Sequence, residues 1–323
     1  MKFFSLASVS TLASIAFATP NPLPGSANIT LRDPAVIYNN ASQTYFVFST
    51  GKNIKIYTSP SLKGPWSSAG EVLTNGSMIP VPSNAGAWAP DVSRVNDEFV
   101  LYYAVSTGGR RNSTIGVTTS PNMESGSWTD HGKVIQTKES DTFNAIDANL
   151  IDADGLKLLF GSYGDGIFQL QMSDISTTLT PLPGNHLAGG DKMPDEGGFT
   201  YKPKNSSFFY TFFSNGVTPL QGATERPPPG QEYKVLVGRS ENVAGPYVDK
   251  SGLNLTSPPA GTLVLGSHDT VYAPGGQSVY LDPVSGRDIM VYHYVMNDSF
   301  GGPSYLGVNF LDFSSGWPEV VEE

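Results

Sequence analysis

Cysteine is absent from this chain of 323 residues, which excludes disulfides, thiol chemistry and cysteine-ligated metals. Basic residues are scarce as well, because 19 Lys and Arg stand against 29 Asp and Glu and leave a net charge of −10. Nucleic acids are bound through clustered cations, so we expect no nucleic-acid partner. After the first residues, no apolar run is long enough to cross a bilayer, so we expect no membrane partner either.

The first eighteen residues have the pattern of a secretory signal peptide. Lys2 is the charged start, the stretch from Phe3 to Phe17 is apolar, and Ala16-Phe17-Ala18 is a small-residue cleavage site. We therefore expect a secreted, extracellular protein whose mature chain begins near Thr19. Seven Asn-X-Ser/Thr sequons agree with that compartment and predict a glycoprotein. Their asparagines are Asn28, Asn40, Asn75, Asn112, Asn205, Asn254 and Asn297.

What the chain does contain is a repeat with an acidic residue at the same place in four successive copies. These residues are Asp33, Asp91, Asp147 and Glu196, and each opens a short apolar strand, whereas a fifth copy at Pro274-Gly275-Gly276 lacks the acid. In each copy an aromatic or aliphatic second strand follows about a dozen residues later, and a third strand follows that.

A period of about 50 residues with several short strands per unit is typical of propeller blades. We therefore predict an all-β, five-bladed β-propeller as a single catalytic domain over residues 19–323, behind the signal peptide at 1–18, and we expect a monomer. The 35 Gly and 25 Pro are consistent with many tight turns. Because the innermost strands of a propeller line its central channel, the aligned acids should converge on the axis.

A ring of carboxylates around a channel suits the hydrolysis of a glycosidic bond. That reaction needs one protonated carboxyl to assist the leaving group and one ionised carboxylate to activate water. Asp33 suits the second role, because Arg32 would favour its ionised form if the guanidinium turned toward it. Glu196 suits the first, because the like charge of Asp195 and partial desolvation would favour its protonated form. Asp147 could orient the acid and raise its pKa as a third charge.

Asp91 has two readings. Within Ala87-Trp88-Ala89-Pro90-Asp91-Val92 it either braces the turn or contacts a sugar, and the sequence leaves both open. For the other three acids, a purely structural role would require three independent turns to align in register.

These motifs resemble glycoside hydrolase family 43, most closely its endo-1,5-α-L-arabinanases, over nearly all of the mature chain. The resemblance rests on Asp33-Pro34, Phe143-Asn144-Ala145-Ile146-Asp147, Glu196-Gly197 and the closing Gly316-Trp317-Pro318. It implies that Asp33 is the general base, that Glu196 is the general acid, and that Asp147 modulates the pKa and orientation of the acid. It further implies single displacement with inversion, for which the two outer carboxyls stand roughly 6.5–9.5 Å apart.

The resemblance implies that the substrate is α-1,5-linked arabinan or another arabinose-containing polysaccharide of the plant cell wall. The candidate substrate-binding residues are Trp88, Asp91, Phe143, Asn144 and Tyr163. Among the aromatic residues, Trp88 is the preferred sugar platform, because blade packing accounts for most of the others.

A calcium ion at the propeller centre is also implied, although the chemistry itself requires no cofactor. Arabinanases have a His in a blade-five strand that helps to hold a hydrated calcium ion, and His293 in Val291-Tyr292-His293-Tyr294 matches it. The alternative is a buried His bonded to backbone, because one imidazole is a weak calcium site unless waters complete the oxygen shell.

Several departures from the arabinanase pattern leave the substrate open. Arg32 stands where a His is usual, Gly164 follows Ser162-Tyr163 where an aromatic is usual, and Ala273-Pro274-Gly275-Gly276 lacks a His. An exo-acting α-L-arabinofuranosidase and a xylan-directed β-xylosidase therefore remain alternatives, as does a non-catalytic propeller lectin. The proline-rich segment 222–230 interrupts blade four and either rims the cleft or is inert.

Overall fold

The computed structural model describes residues 18–80 and 86–323. The predicted signal peptide at 1–18 therefore lies outside the described residues, apart from Ala18, and it stays a prediction. Within the described ranges, no helix is long and apolar enough to cross a membrane.

Residues 18–80 and 86–323 form twenty strands in five sheets of four strands each, and neighbouring strands in every sheet are antiparallel and consecutive in the chain. The predicted all-β class and five-bladed propeller are thereby confirmed. The strands are, in blade one, β1 (Ala35–Asn39), β2 (Thr44–Ser49), β3 (Lys55–Ser59) and β4 (Ser67–Glu71); in blade two, β5 (Ala87–Val95), β6 (Glu98–Val105), β7 (Thr114–Ser120) and β8 (Thr129–Gln136); in blade three, β9 (Asn149–Asp152), β10 (Leu156–Phe160), β11 (Ile167–Gln171) and β12 (Asn185–Ala188); in blade four, β13 (Asp195–Tyr201), β14 (Phe209–Asn215), β15 (Lys234–Ser240) and β16 (Thr262–Leu265); in blade five, β17 (Val271–Leu281), β18 (Asp288–Met296), β19 (Ser304–Asp312) and β20 (Glu319–Val321). A short 3-10 helix at Ser26–Asn28 precedes them.

The second strand of each blade carries its core. In β2, Phe46 and Phe48 pack toward blade two, whereas Tyr45 and Val47 pack toward blade five, and all four side chains are buried. Successive side chains alternate between the two faces of a strand, so a sheet enclosed by two others must be apolar on both faces. This alternation gives five buried clusters, one at each blade interface, and explains why the second strands are continuous apolar runs.

The ring closes where the N-terminal segment joins the last blade. The N–H of Leu23 donates to the carbonyl of Val308 at 2.8 Å, and the N–H of Leu31 donates to the carbonyl of Ser304 at 2.9 Å. Both acceptors lie on β19, whose other end pairs with β20. Residues from the two ends of the described chain therefore share one strand, which joins the first and last blades without a disulfide.

The outermost strand of each blade was not predicted. β4 and β8 are exposed or half-buried at most positions and rich in polar residues. Each of these strands pairs with the third strand of its blade on one side only. An edge strand of this kind lacks the apolar alternation by which strands are recognised in sequence.

Candidate active site

The starts of the inner strands meet at one mouth of the central channel. A cavity of about 320 Å³ opens there, and its wall includes Asp33 of blade one, Asp147 of blade three and Glu196 of blade four. Blade five contributes Gly276 to the same wall. Asp91 of blade two also borders the cavity, so the structure brings together all four carboxylates that the repeat aligned.

A shared backbone conformation presents two of these acids. Asp33 and Asp147 have φ angles of 51° and 56°, in the left-handed region that few residues other than glycine adopt. Each stands two residues before the inner strand of its blade, so the same turn leads into β1 and β9. Left-handed non-glycine residues of this kind cluster at functional sites.

Asp33 is held by blades one and two and faces blade five. Thr50 Oγ1 donates to Asp33 Oδ2 at 2.5 Å and accepts a hydrogen bond from the N–H of Ala89 at 2.9 Å. The other carboxylate oxygen lies against Gly276, where an added Cβ would come within 2.6 Å of Asp33 Oδ1. Glycine is therefore required at 276, while the Asp33 side chain remains 25% exposed and accessible to water.

Glu196 is held by two hydroxyl groups. Ser162 Oγ donates to Oε2 at 2.8 Å, and Tyr233 Oη donates to Oε1 at 2.7 Å. Burial raises the pKa of Glu196, the two hydroxyl hydrogen bonds lower it, and the charge of Asp33 raises it, with a net increase. Burial also raises the pKa of Tyr233 well above its usual range, so the phenol stays protonated and donates.

The like charge near Glu196 comes from Asp33 and not, as predicted, from Asp195. Neighbouring residues of a strand face opposite sides of the sheet, which turns the Asp195 side chain away from the cavity. Its Oδ1 accepts a hydrogen bond from Asn215 Nδ2 at 2.7 Å.

Arg32 also differs from the expectation, because its guanidinium does not turn toward Asp33. It donates instead to the carbonyl of Pro219 at 2.9 Å and to Thr218 Oγ1 at 2.7 Å. The positive charge of Arg32 lowers the pKa of Glu196. This effect is smaller than the effect of burial, which raises the same pKa.

Asp147 is coupled to Glu196 through space and through the backbone. Its Oδ2 accepts a hydrogen bond at 3.0 Å from the N–H of Gly197, the residue after the acid. Burial, then the charges of Glu196 and Asp33, raise the pKa of Asp147 well above its usual range. Two buried carboxyls coupled this closely titrate as a pair. The pair therefore retains a proton at a pH where an exposed carboxyl has lost its own.

Blade five supports this arrangement through its inner strand. Gln277 Nε2 donates to the carbonyl of Gly197 at 2.8 Å, and Gln277 Oε1 accepts from Ser214 Oγ at 2.7 Å. Ser278 Oγ donates to the carbonyl of Pro34 at 2.9 Å. These bonds fix the opening of blade five to the openings of blades four and one.

Asp91 braces the neighbouring blade and not, as one hypothesis had it, its own turn. Its Oδ1 accepts from Asn149 Nδ2 at 3.2 Å and its Oδ2 from the N–H of Leu150 at 2.8 Å, both in blade three. The side chain is buried, and burial raises its pKa to about 6 against the two hydrogen bonds, which lower it. Asp91 borders the cavity, but its hydrogen bonds go to the next blade.

Trp88 and Tyr163 lie at different depths around the cavity. Trp88 is half-buried and forms part of the wall, as a sugar platform would. Tyr163 lies outside the wall with 42% of its surface exposed, and its N–H donates to the carbonyl of Asp195 at 2.8 Å. Burial, then the charges of Glu196 and Asp195, raise the pKa of Tyr163 to about 12.

Phe143 and Asn144 do not line the cavity, in contrast to the prediction. The Phe143 ring packs against Phe160 and Phe168, with ring centroids 6.3 and 5.8 Å away. Asn144 is buried, and its Oδ1 has no hydrogen-bond partner within the described ranges. Their place beside Asp147 in the sequence misled, because proximity along the chain does not decide which side chains reach the cavity, whereas Ile146 and Ala148 do line it.

His293 has contacts of a structural kind. Its Nδ1 accepts a hydrogen bond from the N–H of Asp33 at 3.1 Å, and its Nε2 lies 3.4 Å from Thr218 Oγ1. Burial, then the charge of Arg32, lower its pKa to about 3, so the imidazole is neutral and its 3.3 Å approach to Asp33 Oδ1 is not an ion pair.

These contacts do not fit a calcium ion held through the ring of His293. The lone pair of Nδ1 is used by a backbone N–H, which makes Nε2 the protonated nitrogen. No group of three or more His, Cys, Asp and Glu suited to a metal occurs in the part of the chain that the structure describes. Calcium at this position stays a prediction.

Three residues that hold the carboxylates were missed in the sequence. Thr50, Ser162 and Tyr233 lie outside the aligned acidic openings, and each reaches its carboxylate by a hydroxyl group. Ser162 lies just after β10 and belongs to the Ser162-Tyr163 pair already named in the sequence. The sequence around Tyr233, by contrast, does not distinguish it from the other tyrosines of the chain. Contacts between blades are not encoded by spacing, so only the folded chain shows them.

Comparison with known proteins agrees with the geometry. The family model for glycosyl hydrolases family 43 matches residues 26–318. The chain is 41% identical over 324 residues to arabinan endo-1,5-α-L-arabinosidase A of Aspergillus niger, covering 99% of each chain. It is 42% identical over 321 residues to a probable arabinan endo-1,5-α-L-arabinosidase A of Aspergillus flavus, covering 98% of each.

Solved structures show the same fold. An endo-arabinanase from Bacillus licheniformis superposes with a TM-score of 0.77 at 30% identity, covering 92% of this chain and 99% of that one. An exo-1,5-α-L-arabinanase from a bovine ruminal metagenomic library superposes with a TM-score of 0.77 at 26% identity, covering 93% and 99%. The backbone of this chain therefore superposes equally well on an endo-acting and on an exo-acting enzyme.

Proposed function

The chain belongs to glycosyl hydrolases family 43, and on that premise we propose that it hydrolyses α-1,5-linked L-arabinan internally and with inversion of configuration. Membership makes it a glycosidase, which sets aside the lectin reading. The preference for arabinan is supported by the names of relatives that match it over nearly their whole length. The observation that carries the proposal is the meeting of Asp33, Asp147 and Glu196 on one cavity.

The three carboxylates take different roles because their surroundings differ. The Asp33 side chain is 25% exposed, and Thr50 orients one of its oxygens, so it accepts a proton from a water molecule as that water attacks the anomeric carbon. Glu196 keeps its proton through burial and donates it to the departing glycosidic oxygen. Asp147 holds the acid in place by accepting a hydrogen bond from the N–H of Gly197, and its own pKa is raised by burial and then by the charge of Glu196.

Protons balance over one turnover. Water supplies the hydroxyl group of the new reducing end and one proton to Asp33, while Glu196 loses one proton to the leaving sugar. Exchange with solvent then returns Asp33 to the carboxylate and Glu196 to the acid. Attack from the face opposite the leaving group gives a β-configured product from an α-linkage.

Chromatography of the products released from linear 1,5-arabinan, with arabinoxylan and an aryl α-L-arabinofuranoside in parallel, tests the substrate. We expect an early ladder of short arabino-oligosaccharides from arabinan. Proton NMR during the first turnovers should show the β-anomer before mutarotation. Activity on arabinoxylan alone would overturn the substrate, and an initial α-anomer would overturn inversion.

Exo-action is the second candidate. It remains a candidate because a solved exo-1,5-α-L-arabinanase superposes on this chain as well as an endo-arabinanase does. Release of arabinose or a single oligosaccharide without an early ladder would support it.

We also propose that the protein is secreted without residues 1–18 and that its exposed sequons carry glycans. Asn28, Asn40, Asn75, Asn112 and Asn205 are exposed, although Asn28 Nδ2 donates to the carbonyl of Trp66 at 3.0 Å. Asn297 instead donates through Nδ2 to the carbonyl of Asp269 at 3.0 Å, so we expect no glycan there. Mass spectrometry of the secreted protein, before and after glycan removal, tests both the cleavage site and the occupancy.

A further inference from the structure

Residues 217–232, which we call the blade-four loop, connect β14 to β15 beside the active-site cavity. Leu220 in this loop is 66% exposed, and it belongs to the same cavity wall as Asp33, Glu196 and Tyr233. An exposed leucine at the mouth of a polar site costs free energy when it faces water, unless something apolar covers it.

One anchor holds the loop directly before Leu220. The guanidinium of Arg32 donates to the carbonyl of Pro219 at 2.9 Å and to Thr218 Oγ1 at 2.7 Å. Arg32 is the residue before the proposed base, so this contact fixes the position of Leu220 relative to Asp33. Two charge-assisted donors from one planar group also restrict rotation of the segment.

A second anchor holds the far side of the loop. The guanidinium of Arg226 lies 4.2 Å from the ring centroid of Tyr272 and 5.2 Å from that of Phe300. It also donates to Asn297 Oδ1 at 2.9 Å, and the N–H of Gly222 donates to the carbonyl of Gly301 at 2.8 Å. The proline-rich part is therefore fastened to blade five.

The base of the loop is closed next to the catalytic acid. The N–H of Val217 donates to the carbonyl of Gln231 at 2.7 Å, and the N–H of Tyr233 donates to the carbonyl of Val217 at 3.1 Å. Tyr233 in turn donates to Glu196. A loop tied at its base, middle and far side presents Leu220 as a fixed surface, in line with a rim role for the insertion.

We propose that Leu220 is a specificity-determining residue that contacts a sugar next to the one being cleaved. This inference rests on the proposed arabinan hydrolysis. Trp88 at the start of β5 borders the same cavity, so the wall offers one apolar surface from blade two and one from the blade-four loop. The C–H face of a furanose ring packs on such a surface, and the exposed position of Leu220 places that ring at the rim rather than on the cavity floor.

The test compares Leu220→Ala with Leu179→Ala, a matched control that is 63% exposed and follows β11 in blade three. Steady-state kinetics and product profiles are measured on linear 1,5-arabinan and on an aryl α-L-arabinofuranoside, which carries a single sugar. We expect Leu220→Ala to raise KM on arabinan roughly tenfold and to change the lengths of the early products. Its effect on the aryl substrate should stay within about twofold, and Leu179→Ala should match the wild type on both substrates.

Leu220→Met keeps an apolar surface of similar size and should restore most of the affinity for arabinan. If wild-type protein cleaves arabinan but Leu220→Ala behaves like Leu179→Ala, the inference about Leu220 is wrong and the proposed function stands. If the wild type does not cleave arabinan, the proposed function itself fails, and the inference fails with it. Circular dichroism checks that each variant folds.

Discussion

The openings of blades two and four place an acid at the same position of the repeat, yet they use it differently. Asp91 is buried and Glu196 is half-buried, both border the cavity, and burial raises the pKa of each. Asp91 accepts hydrogen bonds from Asn149 and Leu150 of the next blade, whereas Glu196 accepts from two hydroxyl groups. The position in the repeat therefore places an acid near the propeller axis. Its hydrogen-bond partners there determine whether it holds two blades together or takes part in catalysis.

Neutral substitutions of Glu196 and Asp91 should give the largest difference in turnover between the two positions. Glu196→Gln keeps the shape but removes the dissociable proton, so we expect turnover on arabinan to fall by a factor on the order of 10²–10⁴. Asp91→Asn should stay within about twofold of the wild type per folded molecule, because its carboxylate binds the neighbouring blade. Initial rates of both variants test this comparison, and equal losses would contradict it.

The pH dependence of the free energy of unfolding should show how much the burial of Asp91 destabilises the folded protein. The pKa of Asp91 is about 6 in the folded state against 3.8 for an ordinary Asp, so the folded state binds its proton more tightly. Stability should therefore fall as pH rises from about 4 to about 6, by on the order of 3 kcal/mol from this group.

Asp91→Asn should make that fall shallower, although Glu196 and Asp147, with raised pKa values of their own, keep part of it. Urea unfolding of wild type and variant at pH 4, 5 and 6 measures the free energies. An unchanged slope would show that Asp91 is not strained by burial.

Tyr233→Phe removes one of the two hydroxyls that distinguish Glu196 from Asp91. That hydrogen bond lowers the pKa of Glu196, so its loss should raise the pKa and move the alkaline limb of the pH–rate profile to higher pH. Turnover should fall by about tenfold, since a buried oxygen loses its donor. A profile of kcat/KM against pH measures both, and a limb moving to lower pH would contradict the assignment.

Ser162→Ala should give the smallest of these effects. Its hydrogen bond also lowers the pKa of Glu196, but less than that of Tyr233 does. We therefore expect the alkaline limb to move in the same direction by a smaller interval, with turnover reduced by a few-fold. Shifts of equal size in the two variants would show that the hydroxyls are equivalent.

The sequence was most informative where one residue type repeats in one setting. The apolar second strands, such as β2, and the acids at 33, 147 and 196 predicted the propeller and the carboxylates on its axis. It was less informative at β4 and β8. These edge strands pair with a neighbouring strand on one side only, and their residues do not alternate between apolar and polar. Phe143 and Asn144 stand close to Asp147 in the chain, but Phe143 packs against Phe168 and Asn144 is buried, and neither lines the cavity.

By itself the sequence determined the number of blades, the place of the acids on the axis and the family, because each depends on local patterns repeated along the chain. Tertiary structure alone decided which acid is a brace, which hydroxyls hold Glu196, and where Arg32 and Leu220 lie. Those features arise between blades, from residues separated by tens to hundreds of positions. The protonation state of a buried carboxyl is set by its surroundings in space, and no spacing in the chain records them.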